Sequence, residues 1–335
     1  MGIRTLKPGL LTTVQDTGRY GYQQAGVSVS GAMDSFSLRL ANLLAGNPED
    51  AGALELTLLG PAIEFTEDAL IALAGADLGA RVGGEPVPYY RPVAVKKGSV
   101  LTFAGCKGGF RAYLAIAGGV AVARVLGSYS TYLNARLGGL QGRPLRAGDL
   151  LPVGDASEPA RALLKRLLAL SDARCRSAPW GLYFDEPFAL RLTRPLRVTA
   201  GPHYELLDQA AKKALREEQY LISPVSNRMG YRLEGPGLTF PKPLELLSTA
   251  AVLGTVQVPP DGKPIILMAE RQSTGGYPQI AQLLRADVDV LAQLKPGDTV
   301  RFQLVDIAEA EASYLRRGLY LREVKKALAS YYRFP

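Results

Sequence analysis

A chain of 335 residues, 47% apolar and 21% charged, has material for about two domains with cores of their own, which excludes a disordered or fibrous chain. Its net charge of +8 gathers at Arg161, Lys165, Arg166, Arg174 and Arg176 and again at Arg316, Arg317, Arg322, Lys325 and Lys326, a pattern that suits an acidic partner surface or a phosphorylated small molecule better than nucleic acid. Two cysteines and one histidine allow neither a disulfide framework nor an ordinary zinc site, and no apolar run approaches the roughly 20 residues of a membrane helix, so a cytoplasmic protein without metal or membrane contact is expected.

In chain order, residues 5–14 read as a strand and turn that lead into the polar loop Gln15-Asp16-Thr17-Gly18-Arg19. A helix is expected from Ser35 to Leu44, with Asp34 or Ser35 as N-cap and Gly46 past its end. Glycines at 18, 21, 26 and 31 let the loop before it fold tightly, so that Asp16, Arg19 and Asp34 project from it. Asp16 and Arg19 can face a ligand or pair with each other, and the pattern leaves both open.

From 53 to 119 the chain is a series of short apolar runs broken by Gly and Pro every eight to twelve residues, the spacing of a barrel or sandwich. Hydroxyls and glycines crowd 127–143, and 145–149 turns into a final strand. A helix over about 158–171 carries leucines at 163, 164, 167, 168 and 170 on one face. With Pro179 and the loop to about 188 it marks the boundary between halves, so the expected division is 1–156, a basic helix and linker at 157–188, and 189–335.

The second half resumes with strands at 190–193, 195–201, 230–235 and 237–240 and a helix near 204–213. The runs 255–258 and 265–268, joined by Pro259-Pro260-Asp261-Gly262, read as a hairpin. Its second strand delivers Glu270, Arg271, Gln272, Ser273 and Thr274 into Gly275-Gly276-Tyr277-Pro278. Glycines after a strand let backbone N–H groups approach a ligand, while an arginine and neighbouring amides bind carboxylate, ureido or phosphate oxygens. No GxxxxGK[ST] phosphate loop occurs, His203 reads as a turn residue, and Cys106 beside Lys107 as a small residue in a turn.

Residues 223–235, SPVSNRMGYRLEG, complete a set of separate motifs. Together with QDTGR at 15–19, GAMD at 31–34, STY at 130–132, QVPPDG at 257–262 and RQSTGGYP at 271–278, they make the chain resemble the biotin-dependent carboxyltransferase family, also called allophanate hydrolase subunit 2. The resemblance spans roughly residues 6–304. It implies a mainly β, α+β chain of two subdomains with a cyclophilin-like β-barrel, paired with a sister chain of the allophanate hydrolase subunit 1 type. Glu270 stands where the family usually has Asp, and Ser273 where it usually has Thr.

The activity so implied is that of the C-type subunit in an ATP-dependent 5-oxoprolinase complex, which activates the lactam of 5-oxoproline for hydrolysis to glutamate. One alternative is carboxyl transfer from carboxybiotin to urea or another amide, with biotin carried by another protein, because no lysine here sits in a biotin-attachment context. Another is a regulator that antagonises a kinase inhibitor. Either reaction asks for fixed donors around an oxygen that gains charge. Arg271, Gln272 and Arg228 are the expected catalytic residues. Gln15, Asp16, Arg19, Asp34, Asn227, Gln257, Thr274, Gly275, Gly276 and Tyr277 are the expected substrate-binding ones, and ATP is expected to act with the complex.

Overall fold

The structure, a computed structural model, describes residues 2–183, 194–242, 244 and 246–332. The described residues are mainly β with five α-helices, and no helix among them is long and apolar enough to cross a membrane. It forms two compact units, one drawn from 1–19, 34–189 and 321–335, the other from 20–33 and 190–320. This differs from the consecutive division read from the sequence. The helix Glu158–Ala169 is no separate linker, because Ala160, Leu163 and Leu167 are buried in one cluster with Leu70 and Ala94 of the first unit. The expected strand at 190–193 and the end of the expected linker lie outside the described residues.

The first unit holds two six-stranded sheets. One runs Leu150–Pro152, Gly2–Lys7, Ala62–Phe65, Val100–Phe103, Ala80–Val82 and Glu85–Pro86; the other runs Cys175–Ser177, Pro92–Val95, Ala69–Asp77, Gly108–Ile116, Ala53–Thr57 and Leu11–Gln15. Side chains alternate along a strand, so Ile3, Ile63, Ile71, Leu73 and Leu114 meet in one core. Strand Ala69–Asp77 is buried on both faces, since Leu70 points the other way into the cluster with Leu163 and Leu167. That double burial is why its sequence, ALIALAGAD, is apolar up to the half-buried Asp77 at its end instead of alternating. The helix Ser35–Leu44 packs on the same strand and on Gly108–Ile116. Near the C-terminus, Trp180 stacks on Tyr331 at 5.2 Å, and the Tyr332 hydroxyl donates to the Leu44 carbonyl at 2.6 Å.

The second unit is built on one eight-stranded sheet in the order Thr299–Val300, Tyr220–Ile222, Gly230–Glu234, Ile265–Leu267, Thr255–Gln257, Gln279–Leu283, Leu196–Ala200 and Phe302–Leu304. Its two edge strands are separated in the chain by Arg301 alone. The sheet therefore curls until its ends are neighbours, which makes a nearly closed barrel. Inside it lie Val198, Tyr231, Val256, Ile266, Ile280 and Val288. The expected hairpin is present, with Val256 opposite Ile266. The helix expected near 204–213 is instead a 3-10 turn, Tyr204–Leu206, followed by the helix Gln209–Glu217, because Asp208 caps the latter by accepting from the Ala211 N–H at 2.7 Å. Residues 237–240, expected as a strand, form no strand; the Leu238 N–H donates to the Gly262 carbonyl at 2.9 Å, the Thr239 carbonyl accepts from the Asp208 N–H at 3.2 Å, and the segment lines a cavity.

Buried ion pairs hold the last helix, Ile307–Tyr331, where it begins. Asp287, fully buried, accepts from Arg194 Nη2 at 2.9 Å and Arg197 Nη2 at 2.7 Å, and Arg197 also reaches Glu309 at 3.5 Å and Ser313 at 3.2 Å. Arg317 lies 3.0 Å from Asp289.

Candidate functional site

In the first unit the loop after strand Leu11–Gln15 buries Asp16 and Arg19 and leaves Thr17 and Gly18 half-buried. Asp16 Oδ1 accepts from the Gly18 N–H at 2.8 Å, Ser128 Oγ at 2.8 Å and Ser130 Oγ, and Oδ2 accepts from the Tyr129 N–H at 2.6 Å. With four donors on its carboxylate, Asp16 shapes the loop. Arg19 does not pair with it directly: Nε donates to the Val125 carbonyl at 2.9 Å and Nη2 to the Ser130 carbonyl at 2.8 Å, while the buried Nη1 has no partner. Burial lowers the guanidinium's pKa, and the charge of Asp16 partly offsets this. Gln15 Nε2 donates to Thr13 Oγ1 at 3.0 Å and to the Thr131 carbonyl at 3.2 Å, which leaves its buried Oε1 unpaired.

Asp34 is the N-cap of helix Ser35–Leu44, its carboxylate accepting from the Ser37 N–H at 2.9 Å and Ser37 Oγ at 2.6 Å. Its own N–H donates to the Tyr113 hydroxyl at 2.8 Å, which donates to Glu55 at 2.7 Å. Burial, and then the neighbouring Glu55 and Asp34 charges, push the Tyr113 phenol well above its ordinary pKa. Asp34 thus starts a helix, the role that the capping pattern assigns it.

The remaining expected residues belong to the second unit, where two neighbouring arginines have opposite fates. Arg228 is buried, with Nε donating to Glu270 at 2.6 Å and Nη2 to the Gly31 carbonyl at 2.6 Å, and the Glu270 N–H returns to the Arg228 carbonyl at 2.8 Å. It clamps two loops together, so the sequence expectation of a ligand-orienting arginine does not fit its geometry. Arg271 makes only long bonds, Nε to the Ala251 carbonyl and Nη1 to the Met268 carbonyl, both 3.4 Å, and pairs with no carboxylate among the described residues. Burial lowers its pKa; Tyr20 opposes that shift and Arg285 adds to it. Two weak carbonyl contacts leave this desolvated cation poorly compensated among the described residues.

Around Arg271 lies a small exposed flap, in which Thr249–Ala250 pairs with Thr274–Gly275 outside the barrel sheet. Gln272, Thr274 and Gly276 are exposed, and Asn227 is exposed with its Oδ1 accepting from the Met229 N–H at 2.8 Å. Gln257 is buried beneath Gly275: a Cβ built there would lie 2.8 Å from Gln257 Nε2, so any larger residue would push the amide aside. Beside the flap, Gly276, Tyr277 and Pro278 form one wall of a cavity of about 1020 Å³, with Val258, Pro259, Pro260 and Gly262 as a second. A third wall, Leu238, Phe240, Lys242, Leu244, Leu246 and Leu247, is one that the sequence reading missed. Its signal lies in the apolar residues interleaved with Pro241 and Pro243, a pattern that suits an extended segment without strand partners.

The lone His203 accepts from the Gln279 N–H through Nδ1 at 3.0 Å and so has a turn role. Among the described residues no group of three His, Cys, Asp or Glu side chains could hold a metal ion.

Residues 25–304 match the family model for the carboxyltransferase domain, subdomain A and B. Over 92% of its length the chain is 40% identical to the C-type subunit of 5-oxoprolinase from Escherichia coli (strain K12), covering 93% of that protein. It is 32% identical over 88% of its length to urea amidolyase of Saccharomyces cerevisiae, of which it covers 16%. The crystal structure of the K. lactis urea amidolyase resembles it with a TM-score of 0.84 and 29% identity over 96% of this chain, which spans 20% of that longer one.

Proposed function

The chain belongs to the carboxyltransferase-domain family, subdomains A and B, and from that membership we propose that it is the C-type subunit of an ATP-dependent 5-oxoprolinase, active together with a sister chain. The observation that carries this reading is closeness in sequence: the chain is 40% identical to a protein bearing that subunit's name and 32% identical to a urea amidolyase.

In this reaction phosphoryl transfer from ATP to the lactam oxygen releases ADP, water attacks the ring carbon, and the phosphoryl group leaves as inorganic phosphate while the ring C–N bond breaks and the nitrogen takes up a proton, giving glutamate. The chain's own contribution is recognition and charge stabilisation. Arg271, desolvated and without a carboxylate partner, is suited to hold an anionic oxygen of the substrate, and the exposed Gln272 and Thr274 stand beside it on the same loop. The sequence has no phosphate loop, and among the described residues of the unit no nucleophile is paired with a base, which supports shared catalysis with the sister chain.

A second reading, carboxyl transfer from carboxybiotin on another protein to urea, draws on the likeness to the K. lactis urea amidolyase. Co-expression with the sister chain, followed by assay of ATP hydrolysis with 5-oxoproline, separates the readings. ADP and glutamate formed together support the oxoprolinase. Carboxylation of urea by a carboxybiotin carrier, without 5-oxoproline turnover, would move the assignment to the second reading, and an intact but inert complex would favour a regulator.

A further inference from the structure

We infer that Gln257 is the residue that reads the substrate's lactam group, an assignment that rests on the 5-oxoprolinase reading. Gln257 is 1% exposed, and its Nε2 is buried without a hydrogen-bond acceptor. A buried donor left unpaired is costly, and native structures keep few of them.

The neighbour directly across the sheet shows why this one is available. Gln257 and Gln279 are register partners on adjacent antiparallel strands, so both side chains lie on one face. Gln279 Nε2 donates to Thr249 Oγ1 and to the Ala250 carbonyl, each at 3.0 Å, and thereby ties down the flap. The Gln257 amide lies under the flap's other strand, against Gly275, and donates to nothing. Arg271 reaches the Ala251 carbonyl at the end of the same flap. An unpaired carboxamide and a cation without a carboxylate thus border one two-stranded element.

A lactam is a cis amide, with its N–H and C=O on one edge. A primary carboxamide presents the complementary edge, so Nε2–H donates to the lactam oxygen while Oε1 accepts from the lactam N–H. The substrate's ring takes the place of Gly275 over the amide when the flap lifts, and its carboxylate suits Arg271. The flap strands are two residues each, with Thr249, Ala250 and Thr274 exposed and Gly275 half-buried, so the flap is held chiefly by the Gln279 bonds and by the Ala251 N–H on the Ser273 carbonyl at 2.9 Å, and few contacts must break for it to lift. Glycine at 275 permits the close approach.

The test compares 5-oxoproline with its lactone analogue, in which ring oxygen replaces N–H, on the assembled complex. Each is measured by stimulated ATP hydrolysis and by calorimetric binding, for the wild type and for Gln257→Met, which keeps length but loses the amide. Wild type should favour the lactam on the order of 100-fold or more, since a site built to pair an N–H rejects a ligand that lacks it. In Gln257→Met the preference should fall to within about threefold and KM for 5-oxoproline rise about tenfold, with kcat changed far less. A Met variant that keeps the wild-type preference overturns the assignment while the oxoprolinase reading stands. A wild-type complex that neither binds nor turns over 5-oxoproline overturns both. Should Gln257→Met fail to assemble, Gln257→Glu, which keeps the shape but exchanges the Nε2 donor for an acceptor, serves instead, and an unchanged KM and lactam preference there also overturn the assignment.

Discussion

Arg228 and Glu270 hold each other twice, through a 2.6 Å side-chain ion pair and through the Glu270 N–H on the Arg228 carbonyl at 2.8 Å. Both residues are at most 5% exposed, so removal of either charge strands the other in a desolvated site. Arg228→Ala is expected to cost about 3–5 kcal/mol, the range for a broken buried pair. Thermal unfolding checks this: a melting temperature within about 1 °C of wild type would show that the pair contributes little.

Arg271 gives the opposite expectation. Arg271→Lys keeps the charge but loses the planar fork that grips two oxygens at once. Turnover of the assembled complex with 5-oxoproline should fall about tenfold, a loss of about 1.4 kcal/mol of transition-state stabilisation, while size-exclusion chromatography shows intact assembly. Unchanged turnover would remove Arg271 from the site, and loss of assembly would place it at an interface.

Asp149 makes the stability of the first unit depend on pH. Its hydrogen bonds from Arg143, 2.7 and 2.9 Å, are the main cause of a pKa lowered below the ordinary 3.8, and the Arg146 N–H assists. A carboxyl whose folded pKa is depressed stabilises the fold fully above its unfolded pKa, and this contribution is lost as pH falls through the folded value. Asp149→Asn should therefore melt below wild type at pH 7, with the gap closing below about pH 4. Melting curves at several pH values test it; a gap that persists undiminished in acid would contradict the assignment.

Gly142 adopts φ +64°, and a Cβ there would lie 2.0 Å from the Arg136 carbonyl carbon and oxygen. Gly142→Ala combines a left-handed backbone with a clash against main chain that cannot move aside as a side-chain tip can. It is expected to cost more than the roughly 1 kcal/mol of an ordinary glycine replacement. Denaturant unfolding of the variant measures this, and a loss below about 0.5 kcal/mol would mean that the 133–143 loop relaxes freely.

Local chemistry makes much of the fold legible. Asp34 ahead of an amphipathic run specifies a helix start because capping acts within three residues, and the Ser37 N–H is where that rule places its partner. Pro259-Pro260-Asp261-Gly262 between two β-branched runs specifies the hairpin for the same reason. The family motifs go further and imply the barrel, whose closure depends on strand order that no local pattern carries. What sequence alone leaves open is which polar group meets which. Asp16 and Arg19, three residues apart, are within reach of a direct pair, yet apart from the Gly18 N–H on Asp16 their side-chain partners lie at 125–130, more than 100 residues away. Arg228 and Arg271 are the same residue in similar loops, but folding sets Glu270 and the Gly31 carbonyl against the first and only carbonyls at 3.4 Å against the second. Gln257 and Gln279 divide likewise, one left unpaired beneath the flap and the other fastened to it. Residue type determines which bonds a side chain can make, whereas burial beside long-range neighbours decides which of them remain for a ligand.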